Sequence, residues 1–343
     1  MTTGERSVPQ SAGAAAALML VALAVIATGP AGRVAAASAG GAGTAGGVAI
    51  GVGGSARSLG MGGAGLADLR DPGAVWANPA RLAALAAPEF AFMHGRYVQG
   101  VSLEQLAVGG PTRWGAFGGG FTLLRMGTLD SYAADGAATG AFSPSEQAVS
   151  AGWAWPGGTW SAGAAATWYR SQLASDAKAN AFAGDVGASV TPVPMLSLAA
   201  AVQHLGTGLD YGGKTSSLPV TIRGGAAVTL ADLGLVVVAD GVKPSDGDLS
   251  VRAGAEKSFA VRSDVSIAVR AGWRSGAPQG SLSGLAAGAD VFWHPDGGFN
   301  DPALAGIGES PEGRGVTGFR LSYAWTPLGE LGDAHWFAVA LSF

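Results

Sequence analysis

The sequence predicts an all-β protein: a transmembrane antiparallel β-barrel of about fourteen strands, with an N-terminal hatch of short helices and turns. Three observations predict it. Long segments alternate apolar with small or polar residues at period two. Charged residues are only 13% of the 343, about half the share usual in soluble proteins, while glycine reaches 58. Phe337, Val339, Leu341 and Phe343 place one apolar face on the last segment, which stops at an aromatic side chain.

The first element is a targeting segment. Arg6 precedes an apolar run from Ala12 to Ala27, and Ala37-Ser38-Ala39 fits a small-x-small cleavage pattern. Residues 1–39 are therefore expected to be a signal peptide. The strongly apolar part is shorter than the roughly 20 residues of a membrane-spanning helix. The longest later apolar stretch, Leu233 to Ala239, is shorter still. Export then leaves a soluble secreted protein or a closed barrel, since only helices and barrels satisfy every backbone group in lipid.

Residues 40–87 form the expected hatch. They are rich in Gly and Ala, contain Gly60-Met61-Gly62-Gly63-Ala64-Gly65, and then Asn78-Pro79-Ala80. Arg81 to Ala87 is expected to make one helical turn, stopped by Pro88.

Residues 88–343 are the expected barrel. Val220–Leu230, Leu249–Lys257, Val265–Trp273 and Phe319–Trp325 alternate most clearly. Breaks such as Pro156-Gly157-Gly158, Pro192-Val193-Pro194, Pro244-Ser245-Asp246-Gly247 and Pro295-Asp296-Gly297-Gly298 separate such segments. Counting between breaks gives about fourteen strands of roughly 9–12 residues, which suits tilted membrane strands. The non-apolar faces are mostly Gly, Ala and Ser, a poor soluble surface. The apolar faces should therefore meet lipid. Trp153, Trp155, Trp160, Trp168, Trp273, Trp293, Trp325 and Trp336 fall near strand ends, as in an interfacial aromatic girdle. Asp185, Arg223, Asp240, Arg252, Glu256, Arg270, Asp290 and Arg320 would point into the lumen and pair there or line a path. A soluble sandwich or propeller is the competing fold, but no 40–50-residue repeat supports a propeller.

No motif for catalysis emerges. Gly60 to Gly65 matches G-x-G-x-x-G, yet no buried strand precedes it and residues 80–88 carry no acid, so a dinucleotide site is not expected. His94, His204, His294 and His335 lack metal-ligand spacing, cysteine is absent, and there is no G-x-S-x-G elbow. A net charge of −4 gives no basis for nucleic-acid binding. No enzyme activity, cofactor or metal is expected.

The closing strand, Phe337, Val339, Leu341 and Phe343, resembles the C-terminal signal read by the barrel assembly machinery. Gly53 to Ala64, followed by Val75-Trp76-Ala77-Asn78-Pro79-Ala80, closely resembles the N-terminal signature of PorV/PorQ-type outer-membrane proteins, relatives of the FadL transporters of hydrophobic compounds. Leu321 to His335, Asp240 to Pro244 and Arg270 to Gly276 are similar to that family too. The chain departs from it in Arg81, where glycine is usual, and in fewer acids between Leu66 and Ala74. The resemblance implies a fourteen-stranded outer-membrane barrel holding a hatch that includes Gly60, Gly62, Gly63, Asn78, Pro79 and Ala80. FadL-like members pass hydrophobic molecules through the hatch and out sideways at a kinked strand. Gly118, Gly119 and Gly120, in the expected third strand, are the candidate for such a lateral gap, since glycine weakens strand pairing. Other members receive and shuttle secreted cargo proteins in type IX secretion; a purely structural barrel is the third role. The expected partners are outer-membrane lipid, the assembly machinery, and a hydrophobic ligand or secreted cargo.

Overall fold

The computed structural model describes residues 45–51, 54–97, 100–174, 176–276, 282–293 and 318–343. The signal-peptide segment, His294 and the Pro295–Gly298 break lie outside them. Three short α-helices come first: α1 (Val48–Gly51), α2 (Ala56–Gly60) and α3 (Ala74–Ala77), then a 3-10 helix at Pro79–Ala84. The strands are β1 (Glu89–Arg96), β2 (Ser102–Thr112), β3 (Gly115–Arg125), β4 (Leu129–Tyr132), β5 (Ala138–Phe142), β6 (Ser145–Pro156), β7 (Trp160–Gln172), β8 (Lys178–Val193) and β9 (Leu196–Gly206). They continue as β10 (Leu209–Asp210), β11 (Thr215–Ser216), β12 (Thr221–Leu230), β13 (Leu235–Pro244), β14 (Ser250–Ala260), β15 (Val265–Arg274), β16 (Leu285–Trp293), β17 (Gly318–Pro327) and β18 (Asp333–Ser342).

Among the described residues, fourteen of these strands close one antiparallel barrel. The pairs β4–β5 and β10–β11 are hairpins in loops. Each barrel strand pairs with its neighbour in the chain. Closure comes from β1 and β18, in register from Glu89–Ser342 to Arg96–His335. One end carries tight connections at 113–114, 157–159, 194–195, 231–234 and 261–264, together with the 294–317 connection; the other end carries those at 97–101, 126–144, 173–177, 207–220, 245–249, 275–284 and 328–332.

The alternation sets the polarity of the wall. Outward positions include Phe92, Phe117, Phe121, Val149, Val237, Val291, Leu321 and Phe337, all exposed. Inward positions include Asp185, Arg223, Asp240, Glu256, Arg270 and Asp290, all buried. An apolar exterior around a polar interior is the membrane-barrel arrangement, reversed from a soluble one. No helix among the described residues is long and apolar enough to cross a membrane.

Two local expectations change. The helical turn occupies Pro79–Ala84 rather than 81–87, because Asn78 Oδ1 accepts the Ala80 N–H at 3.2 Å and Pro79 takes the first helical position. Trp336 is not part of an outer girdle. It faces inward at 1% exposure, donates its indole N–H to Thr326 Oγ1 at 2.9 Å, and packs against Tyr97.

Candidate functional site: the plugged lumen

Residues 54–88 run through the lumen, with α2 against β15–β18 and the 3-10 helix against β2, β3 and β6–β8. Inward glycines make room for them. A β-carbon at Gly118 would lie 2.6 Å from Leu82, and one at Gly163 would lie 2.6 Å from the Ala80 nitrogen. At Gly187 it would overlap Asn78 Oδ1, and at Gly272 the Met61 backbone. Several of these glycines face each other across the ladder: Gly118 with Gly152, Gly163 with Gly187, Gly254 with Gly272. Glycine is used here for close backbone approach.

The Gly60–Gly65 turn sits against β14–β16. Gly62 (φ +72°) and Gly63 (φ +80°) adopt left-handed backbone; a β-carbon at Gly62 would be 2.8 Å from the Trp273 backbone. Its amides are already engaged. Those of Gly62, Gly63 and Ala64 donate to Leu59, Ser58 and Met61 carbonyls, and those of Gly65 and Leu66 donate to Asp240 at 3.0 Å. The loop holds wall, not phosphate. Asn78, fully buried, caps the 3-10 helix and donates to the Leu66 carbonyl. Pro79 and Ala80 are buried beside it.

Ion pairs tie plug to wall. Arg57 contacts both Glu256 oxygens, through Nε at 3.0 Å and Nη2 at 2.8 Å, and Asp68 Oδ2 at 2.7 Å. Arg270 joins Glu256 at 2.9 Å to Asp290 at 2.6 Å, and Arg70 closes on Asp68 at 2.7 Å. Burial alone would raise the Asp68 pKa, but Arg57 and Arg70 outweigh it and hold the carboxyl at about 2. Burial would likewise lower that of Arg57, yet Glu256 and Asp68 hold it above its usual value. Arg81, which hydrogen-bonds the Leu69 carbonyl and Ser189, is pulled down to about 10 by burial, with only Asp68 opposing. Across the lumen, Gln203 donates to the Trp76 and Ala77 carbonyls at 2.7 and 3.0 Å.

Above this charged layer, toward the long-loop end, the lumen holds an apolar cluster beside one buried carboxylate, Glu146, which accepts the Ala49 N–H at 2.8 Å. Met93, Leu103, Leu124, Ala148, Tyr169 and Trp336 form one buried cluster with Ala56 of the plug. Beneath it a narrow cleft of about 40 Å³ separates the plug from the closing seam. Ala91, Met93, Ala107, Ala338 and Ala340 line its wall side; Ala56, Arg57 and Trp76 line its plug side. Arg320 also borders it and pairs with Glu89 at 2.7 Å, at the short-turn end of the seam.

The other sequence-selected residues are placed as follows. β3 stays in unbroken register with β2 and β6 across Gly118–Gly120. Gly118 and Gly120 face the plug, against Leu82 and Trp76, while Gly119 faces outward. Two register shifts lie instead in β8–β9, between Gly184 and Val186 and between Val190 and Val193; at the first, Asp185 accepts the His204 N–H at 2.6 Å and His204 takes φ +60°. Phe337, Val339, Leu341 and Phe343 line the outside of the seam, with Phe343 N–H donating to the Pro88 carbonyl. Sequence reading missed Arg57, Asp68, Trp76, Glu89 and Gln203. Their partners are distant in the chain, as in Arg57–Glu256, so no local spacing marks them.

No protein-family model matches the chain, and no curated protein matches it. Solved structures do. The Pseudomonas putida toluene transporter TodX is 12% identical over 84% of this chain and 97% of its own, with a TM-score of 0.52. For the Ralstonia pickettii toluene transporter TbuX the values are 14%, 84%, 97% and 0.51. For a Pseudomonas aeruginosa FadL homologue they are 10%, 84%, 98% and 0.50. At such identities the likeness is one of architecture: the chain shares the fold of these three proteins.

Proposed function

We propose that the protein is an outer-membrane barrel that passes hydrophobic small molecules, and that they travel along the seam cleft. The carrying observation is the small, mostly apolar wall side of that cleft, which adjoins the apolar cluster above it at Met93 and Ala56. Barrel lumens are ordinarily polar, so an apolar inner wall suits a solute that water does not hold. Proteins sharing this fold are named as toluene transporters and as a monoaromatic hydrocarbon channel. The finer placement among PorV/PorQ-type barrels rests on the motifs at 53–64 and 75–80. The cargo-shuttling alternative rests on the same motifs alone, with the plug packed against β2, β3, β6–β8 and β15–β18.

The test is solute entry into proteoliposomes across a series of aromatic and aliphatic hydrocarbons. Ala338→Trp places a large ring in the cleft. Loss of entry, with a preserved band shift between unheated and boiled samples, supports the route. Unchanged entry for every solute in the series removes it.

A further inference from the structure

The outer wall carries an arc of unpaired cations at the long-loop end. Consecutive register partners run Arg96–Ser102–Arg125–Ser145–Gln172–Lys178, across β1, β2, β3, β6, β7 and β8. Direct partners in an antiparallel ladder share a face, and this face is the outer one. Arg170 stands one same-face step further in, opposite Gln147. Arg96, Arg125, Arg170 and Lys178 are all exposed, and none has an acidic partner within ion-pair distance among the described residues. Of the acids near this patch, Glu104 is taken by His94 at 2.9 Å, and Asp176 lies in the β7–β8 turn with no ion pair to Lys178 among the described residues.

Two same-face steps inward, about 13 Å along the strands, the wall turns wholly apolar: Phe92, Leu106, Phe121, Val149, Trp168 and Phe182. The opposite arc has no such pattern. Its outward loop-end positions are Ile222, Gly241, Val251, Trp273 and Leu285, and its Lys243 is bonded to the Gly247 carbonyl. Cations at the short-turn end are engaged too: Arg262 with Asp264, Lys257 with the Leu233 carbonyl, Arg113 over the Trp114 ring.

We propose that this arc is a docking surface for a phosphate-bearing lipid of the leaflet at the loop end. Its phosphates sit among Arg96, Arg125, Arg170 and Lys178, and its acyl chains lie on the apolar rows beneath. Arginine forks match phosphate oxygens, and basic residues beside an apolar surface attract anionic headgroups. Charge above and hydrocarbon below, about 13 Å apart along the strands, match a lipid better than a free anion or a soluble protein.

The proposal rests on the membrane-barrel reading, so each sample is first checked for a heat-dependent band shift; a protein without one removes that reading instead. Folded protein in detergent is then titrated with bisphosphorylated lipid A and, separately, phosphatidylcholine, and bound lipid is counted by native mass spectrometry. The expected result is retention of lipid A, weakened at least ~10-fold by combined R96Q, R125Q, R170Q and K178Q. Combined R113Q, K257Q and R262Q should leave retention unchanged. Equal retention by the first combination, or phosphatidylcholine binding as well as lipid A, overturns the proposal. Full displacement by millimolar inorganic phosphate also overturns it, since that marks an ion site without a lipid.

Discussion

Arg57→Met tests how firmly the plug is held. The guanidinium makes contacts to Glu256, to the Asp68 carboxylate and to the Asp68 carbonyl at 3.0 Å. Asp68 sits at about 2 against an ordinary 3.8, a difference of about 2–3 kcal/mol at neutral pH. Its side chain is 3% exposed, so little of this is screened. Removing Arg57 does not leave bare charges, because Arg70 still meets Asp68 and Arg270 still meets Glu256. The full penalty for breaking a buried pair is about 3–5 kcal/mol; with a remaining partner on each carboxylate we expect about 1–3 kcal/mol. The readout is amide hydrogen exchange. Protected amides at residues 57–68 should exchange roughly 5- to 150-fold faster, while the β6–β7 ladder stays as protected as before. Arg57→Lys should recover part of this, since one ammonium cannot reach both carboxylates in the same way. Unchanged plug protection in Arg57→Met would refute the assignment of this contact as the main tie between plug and wall.

Asp68→Asn gives a pH signature. A depressed carboxyl stabilises above its unfolded value and loses that contribution as pH falls through its folded one. The advantage of the native chain over Asp68→Asn should thus be full above about pH 4 and fade toward pH 2, read from denaturant midpoints. Gly120→Val drives a side chain into Trp76 and should loosen the plug by about 1–3 kcal/mol, whereas Gly119→Val, facing outward with its nearest neighbour 3.7 Å away, should alter neither protection nor solute entry. Asn78→Ala removes the cap of the 3-10 helix and should cost about 1 kcal/mol in plug protection. Phe337→Arg puts a charge on the lipid face of the seam and should lower barrel stability by up to about 2–4 kcal/mol, measured as the temperature at which the band shift is lost.

The wall was legible in the sequence and the plug contacts were not, for one physical reason. Strand faces repeat every two residues, so Val265 to Trp273 declares its lipid side within nine positions. The charges at 223, 240, 256, 270 and 290 could be assigned to the lumen on the same ground. Which of them meet, and that Arg57 of the plug joins Glu256 among them, depends on a barrel register that no local pattern encodes. The glycine excess was visible, but its cause was not: Gly118 and Gly120 were read as a weak place in β3, and they prove to be the floor on which Leu82 and Trp76 rest. Trp336 was misassigned because tryptophan near a strand end suggests an interface, and only its parity within β18 argued otherwise.

The paired glycines have a consequence for what keeps the cylinder in shape. Gly118 with Gly152, Gly163 with Gly187 and Gly254 with Gly272 leave bare main chain where neighbouring strands would otherwise interlock side chains. The space those side chains would take is occupied by Leu82, Asn78, Pro79 and Met61. The wall therefore borrows its inner packing from residues 54–88, and an emptied cylinder would be thin at those points.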